Sequence, residues 1–475
     1  MKYLRTFYIK LSLPAKAALW FALAQFFQKG INMLTTPIFT RIMTTEEYGR
    51  VNTFFSWADI LIILISLSVW RGIWNVYKTN DDKDAVLSSI ISLTCFASLV
   101  SFILLLLLFI PLNSLMKCTP ILYVSLGLYA FSQNIIYAWI VRMQYEYKYK
   151  YIIIYTLVYT TVTAFGGLLA LIMINNCAEA KILPQVFSIT VFSLLIVFYY
   201  LHHNGISINK KIWKFCIGFA VPLLPHYLSE VILHSSDRIM INNMCGYTDV
   251  AVYSISYSVG SLSLMVTSAI NSAFAPYQYQ KINNKEYRLL AKKTNVIIGF
   301  VAFCSFMLMM FGREIVLIFG GTKYADSISL IIPITIGVYF NYVFQLFARV
   351  QEYYEQKHTI VIASISCAFL NIILNVIFIK NYGYKAAAFT TTFCYFTFCF
   401  LHYLFYMKAC NKNIGHGIYD VKGLVCISVL LVCGSQVIRF IDLIPIIKYL
   451  LLGIIVILVI IFRKRFKIFV QNMRE

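Results

Sequence analysis

Uninterrupted apolar runs of about 20 residues recur from one end of this sequence to the other, the length an α-helix needs to cross a bilayer. No water is present there to bond a free backbone group, so only helices and closed barrels can span. A barrel would show ~10-residue alternating segments, and the sequence carries none. Of the 475 residues, 60% are hydrophobic and 12% charged, against about a quarter charged in ordinary soluble domains. The fold class is therefore an all-α polytopic membrane protein.

Fourteen spans are expected, at roughly 17–40, 51–72, 85–112, 120–141, 151–174, 182–202, 214–236, 250–273, 294–312, 326–348, 358–379, 385–408, 423–440 and 445–462. The connections are too short for a folded soluble domain. The net charge of +21 does not point to nucleic acid, because the positive residues sit in short loops between apolar runs. With both termini placed in the cytoplasm, 28 of the 40 Lys and Arg residues fall on the inner side and 11 on the outer, and Lys29 alone lies deep in a span. This positive-inside bias favours an even span count and both termini cytoplasmic. The first apolar run predicts a retained helix rather than a cleaved signal. The twelve cysteines form no CxxC pair and read as small packing residues, not ligands.

An internal repeat organises the chain. "TRIMTTEEYG" at 40–49 and "DRIMINNMCG" at 237–246 share Arg, Ile, Met and Gly at a constant offset of 197. That offset spans six helices, so the two halves have the same orientation, a known transporter plan. The expected organisation is a six-helix lobe over 1–208, a second over 209–412, and two appended helices with a basic tail over 413–475.

The first span carries Lys29, costly at a bilayer centre by about 2.5–3.5 kcal/mol. At 100° per residue, Gln25, Lys29, Asn32, Thr36 and Thr40 share one face. In the seventh span His226, Ser229, Glu230 and Asp237 do the same. Both stripes are expected to face a water-filled cavity between the lobes. Asp59 lies inside the second span, and Arg41, Arg71, Arg142, Arg238 and Arg349 end spans. These residues are candidate cavity groups, and Glu230 and Asp237 are candidates for proton or cation coupling. Alternatively, Lys29 pairs with Asp59 or Glu230, and the arginines snorkel to headgroups. Pro37, Pro222, Pro225 and Pro333 predict bends. A basic, tyrosine-rich connection at 142–151 and an amphipathic surface helix at 277–295 are expected at the headgroup level. No phosphate loop, GxSxG elbow or HExxH zinc pair is present, so neither ATP hydrolysis nor metal catalysis is expected.

"GINMLTTPIFTRIMTTEEYGRVN" and "PLLPHYLSEVILHSSDRIMINNMCGYTDVAVYSISYSVG" resemble the openings of the two lobes in Wzx-type polysaccharide-transport flippases, members of the multidrug/oligosaccharidyl-lipid/polysaccharide exporter superfamily. Pro222 or Pro225, Asp237, Arg238, Gly246, Tyr253 and Ser254 carry the second likeness. The resemblance implies two six-helix lobes around a cationic cavity in the bacterial plasma (inner) membrane. It implies flipping of an undecaprenyl-pyrophosphate-linked oligosaccharide, an O-antigen or capsule repeat unit, from the inner to the outer leaflet. The partners would be that lipid-linked substrate, membrane lipids, H+ or Na+ as coupling ion, and a polysaccharide polymerase; no cofactor is implied. A lipid II flippase and a cation-coupled multidrug exporter are rivals within the superfamily. The multidrug exporters usually place an acid in the first helix, where this chain has Lys29. A membrane-embedded glycan polymerase is the rival of another class, but it would need a long outer loop.

Overall fold

A computed structural model describes residues 13–77, 82–174, 177–441, 448–450 and 453. The described residues are helical nearly throughout and contain no strand. Twelve of their helical segments are long and apolar enough to cross a membrane, and these correspond to the second to thirteenth expected spans. The first expected span is present as α1 (Leu13–Ile42), whose polar stripe keeps it outside that apolar set. Most of the fourteenth, and both termini, lie outside the described residues.

By contacts the chain forms two compact units. The first runs through to Ile255 and takes in Ile318–Tyr324 and Ser364–Thr390; the second comprises Ser256–Leu317, Ala325–Ala363 and the chain from Thr391 on.

The first unit begins with α1 and α2 (Thr45–Ser66). Thr44 caps α2 by accepting from Glu47 N at 3.2 Å, which satisfies one of the free N–H groups of the first turn. A single 3-10 turn (Val69–Gly72) follows, then α3 (Ile73–Tyr77). Asp82 caps α4 (Lys83–Leu107) through Ala85 N at 3.0 Å. Next come the short α5 (Phe109–Met116) and then α6 (Pro120–Tyr145), α7 (Tyr149–Met173) and α8 (Ala178–Asn204). The expected seventh span is broken. α9 (Lys210–Ala220) gives way to a 3-10 turn (Val221–Leu223) and resumes as α10 (Leu224–Met244). Pro222 and Pro225 occupy the break, where a missing N–H cannot continue the ladder. α11 (Tyr247–Gly260) starts just after Gly246, whose φ of +104° is a conformation only glycine adopts without strain.

Polar glue holds this unit together. The buried Asn134 on α6 donates to Ile62 O at 2.9 Å and accepts from Ser66 Oγ at 2.6 Å and Trp70 Nε1 at 3.2 Å. Lipid offers no hydrophobic drive between helices, so such bonds and close packing of small side chains carry the association, at about 0.6–2 kcal/mol each.

The second unit contains α12 (Leu262–Asn283), α13 (Tyr287–Met310), the short α14 (Gly312–Phe319, shared at its end with the first unit), α15 (Ile328–Tyr353), α17 (Lys385–Asn413, shared at its start with the first unit) and α18 (Val421–Ile441). The first turn or two of α16 (Lys357–Tyr382) lies here and the rest in the first unit. α15 is enclosed on nearly every side. Tyr406 Oη anchors the link from α17 to α18, accepting from Ile418 N and Tyr419 N. The surface helix expected over 277–295 is not a separate element. α12 runs on to Asn283 and α13 begins at Tyr287, because the apolar faces of both spans continue through that polar stretch.

Candidate functional site

A cavity of about 730 Å3 lies within the first unit, walled by α1, α2, α6, α7 and α8. α1 lines it with Gln25, Gln28, Lys29, Asn32, Thr35 and Thr36, so the stripe read from the sequence turns inward to water-accessible space. Thr40 continues that face but closes it: it is fully buried and its hydroxyl donates to Phe319 O. α2 adds Asn52 and Asp59, and α6 adds Tyr129, Gln133 and Tyr137. α7 and α8 add Tyr155, Tyr159, Thr156, Lys181 and Gln185.

Three charged side chains line this space: Lys29, Lys181 and Asp59. Asp59 accepts from Ser235 Oγ of α10 at 2.9 Å. Among the described residues neither lysine has a carboxylate partner, so the pairing of Lys29 with Asp59 or Glu230 is not what the structure contains. Lys181 is instead held over the rings of Phe39 and Tyr48, at 4.2 and 4.8 Å, where the ring quadrupoles steady a cation. The cavity thus has two cations for one acid, set among amides, hydroxyls and tyrosine rings.

One end of this unit is latched. Lys323 Nζ donates to Met43 O at 2.7 Å, Tyr247 Oη to Lys117 O at 2.6 Å, and Lys117 Nζ to Asn243 O at 3.3 Å. The two copies of the repeated motif meet here. A Cβ on Gly49, the glycine of the first copy, would stand 1.9 Å from the carbonyl oxygen of Tyr247, the residue after Gly246 of the second. Beside this latch, Glu47 accepts from Ala178 N at 2.6 Å and pairs with Arg50 at 3.0 Å.

Residues 15–281, more than half of the chain, match the family described as polysaccharide biosynthesis protein. The chain belongs to this family. Residues 222–377 also match the family described as MatE. The Lsg locus protein 1 of Haemophilus influenzae is 20% identical over 279 residues, 54% of this chain; the chain spans 64% of that relative's length. Among solved structures, a multidrug resistance MATE family transporter of the MOP superfamily, inward-facing, superimposes with a TM-score of 0.66 at 13% identity, covering 82% of this chain and 96% of its own. The lipid II flippase MurJ, inward closed, superimposes with 0.66 at 16%, covering 94% and 100%. A MOP superfamily transporter from Pyrococcus furiosus gives 0.57 at 12%, covering 84% and 96%. At these identities the likeness is one of fold. The protein is thus a multi-pass membrane member of the polysaccharide biosynthesis family, with a fold like that of MOP superfamily transporters.

Of the residues singled out in the sequence, the cavity brings together Lys29, Asn32 and Asp59. The others lie elsewhere. Arg41 is exposed and donates to Pro37 O at 2.9 Å. Arg71 stacks on Tyr227, 3.9 Å from the ring centroid. Arg142 is buried and paired with Asp84 at 2.5 Å and Glu146 at 2.7 Å, so it neither lines this cavity nor snorkels. His226 contacts Ser364 Oγ at 3.0 Å and Glu230 at 3.7 Å. Ser229 bonds back to Pro225 O, and Arg238 donates to His234 O at 3.1 Å. Arg349, in the second unit, donates to Asn271 at 2.7 Å and to Gln278. Asp237 does not face open space. It is fully buried, accepting from Tyr253 Oη and from Asn375 Nδ2 at 2.7 Å. Sequence reasoning missed Lys181, Gln185 and the four tyrosines. Lys181 stands one residue before the sixth expected span, so its charge read as an ordinary end-of-span cation.

Proposed function

We propose that this flippase moves an undecaprenyl-pyrophosphate-linked oligosaccharide repeat unit across the bacterial plasma membrane, from the inner to the outer leaflet. The cavity receives the polar head while the lipid tail stays in the bilayer. The observation that carries this reading is the lining: two lysines with no carboxylate partner among the described residues, set amid tyrosines, amides and hydroxyls. Amides and hydroxyls exchange hydrogen bonds with sugar hydroxyls, and tyrosines offer flat apolar faces with a polar tip. A lysine in a low-dielectric space attracts a phosphate or sugar carboxylate strongly.

Alternating access would then proceed by rocking of two lobes, 1–208 and 209–412. Opening toward the outer leaflet requires the latch around Gly49 and Tyr247 to part. Coupling to H+ or Na+ falls to Asp237, whose carboxylate sits in an all-oxygen-and-amide network with Asn375, Asn371 and Thr390. Glu230, half of its side chain exposed beside His226, is the second coupling candidate. An Asp237→Asn protein that still responds to an imposed ion gradient in vesicles would remove Asp237 from that role. A polysaccharide polymerase would take the flipped units as partner.

Lys29→Ala tests the head-group site. Losing one charge-assisted bond costs about 1.5–3 kcal/mol, so export of surface polysaccharide should fall at least about tenfold, with Lys29→Arg retaining most of it. Export at the wild-type rate by a normally expressed Lys29→Ala protein would overturn the assignment.

A further inference from the structure

A second cavity, of about 550 Å3, lies on the other side of the α6–α7–α8 wall, and Tyr155 lines both spaces. Its mouth is formed by the first turn of α4, the end of α6, the start of α7 and the end of α8. From there an apolar furrow runs between α7 and α8. Tyr151 and Tyr199 stand at the mouth, Ile154 and Leu195 below them, and Val158 at the bottom. Seven residues of helix from Tyr151 to Val158 make the furrow about 10 Å deep. These side chains are exposed, Ile154 and Leu195 to about 60%, so the furrow opens sideways toward the bilayer.

The mouth carries four charges in a chain. Asp84 pairs with Arg142 at 2.5 Å, Arg142 with Glu146 at 2.7 Å, and Glu146 with Lys148 at 2.6 Å. Arg142 also donates to Tyr200 Oη at 3.1 Å. Arg142 is buried and doubly neutralised, which is how a desolvated guanidinium is tolerated. Only the two ends of the chain remain open: the Asp84 side chain is 58% exposed and that of Lys148 48%. The mouth therefore offers one carboxylate and one ammonium, with no net charge.

We propose that this furrow is a binding site for a phospholipid with a zwitterionic, primary-ammonium head group, phosphatidylethanolamine in chemical class. The lipid phosphate meets Lys148, its ammonium meets Asp84, and one acyl chain lies along Ile154, Val158 and Leu195. An anionic phospholipid gains nothing from a mouth of zero net charge and is repelled by Asp84. A methylated choline head cannot donate hydrogen bonds to the carboxylate. Tyr151 and Tyr199 flank the head-group level, where such rings are favoured. The site is independent of what the protein transports.

The test is native mass spectrometry of the full chain released from nanodiscs of phosphatidylethanolamine, phosphatidylglycerol or phosphatidylcholine. The wild type should retain one phosphatidylethanolamine in preference to the other two. Asp84→Asn should lose that preference by roughly tenfold, the equivalent of one charge-assisted bond. Leu195→Trp, a filling change at an exposed position that leaves the charged chain intact, should reduce retention of every lipid. The proposal is overturned if the wild type retains phosphatidylglycerol or phosphatidylcholine equally well. It is also overturned if a folded Leu195→Trp protein holds as much lipid as the wild type.

Discussion

At the scale of single residues, placement in the structure decides roles that residue type leaves open. Lys29 and Lys181 are alike in charge, but Lys29 stands free in the cavity while Lys181 is cradled by Phe39 and Tyr48. Lys181→Ala should therefore weaken export of a repeat unit bearing an acidic sugar more than that of a neutral one, by about tenfold for one lost charge contact. Equal losses for both glycans would mean that Lys181 only braces the wall. Glu146, in the turn between α6 and α7, shows the opposite case of a charge used for structure. Burial acts to raise its pKa, but the hydrogen bonds from Lys148 and Arg142 outweigh it and hold the carboxyl below the ordinary glutamate value. A carboxyl with a lowered folded pKa adds stability that is complete above its unfolded pKa, about 4.3. That contribution is lost as pH falls through the lower folded value. Thermal melts across pH should show Glu146→Gln less stable than the wild type at neutral pH, with the gap closing below about pH 4. A gap that stays constant down to pH 3 would contradict the pairing.

At the scale of elements, the repeated motif uses its two glycines for different reasons. Gly246 supplies a positive φ between α10 and α11, whereas Gly49 sits mid-helix and is kept small by the backbone of Tyr247. Gly49→Ala forces α2 and the start of α11 apart, and overpacking of this kind costs about 1–3 kcal/mol. Hydrogen exchange over 243–249 and 319–323 should accelerate in that variant, with reduced export. Unchanged exchange in both segments would show that the contact does not hold the latch. The sequence made this motif visible as a repeat, but not that its two copies touch. Periodicity likewise placed Lys29 and Asn32 on one face of α1, and Asp59 stood out as a charge inside the second span; the cavity gathers all three. It could not tell a stripe facing open space from one facing protein, and Asp237, on an equally regular stripe, turned out fully buried. Lys181, Gln185 and the tyrosines at 129, 137, 155 and 159 come from three helices whose rotations are set only by packing. Of the two carboxylate partners of Arg142, Glu146 is one helical turn on, but Asp84 was similarly out of reach, 58 residues away.

At the scale of the whole molecule, an apolar chain in a bilayer is assembled by polar contacts, and the same residue types form glue where packed and a site where space is left. Asn134 and Asn32 illustrate the two outcomes, one satisfied by four partners and the other lining the cavity. Membership of the polysaccharide biosynthesis family and the MOP fold agree with that division of labour. The proposed function requires this protein to flip a finished lipid-linked repeat unit. The direct measurement is mass spectrometry of lipid-linked intermediates after deletion of the gene, combined with a membrane-impermeant label to assign the leaflet. Complete undecaprenyl-linked repeat units accumulating on the cytoplasmic face are the predicted result. Single repeat units already displayed on the outer face, or accumulation of lipid II in their place, would contradict it.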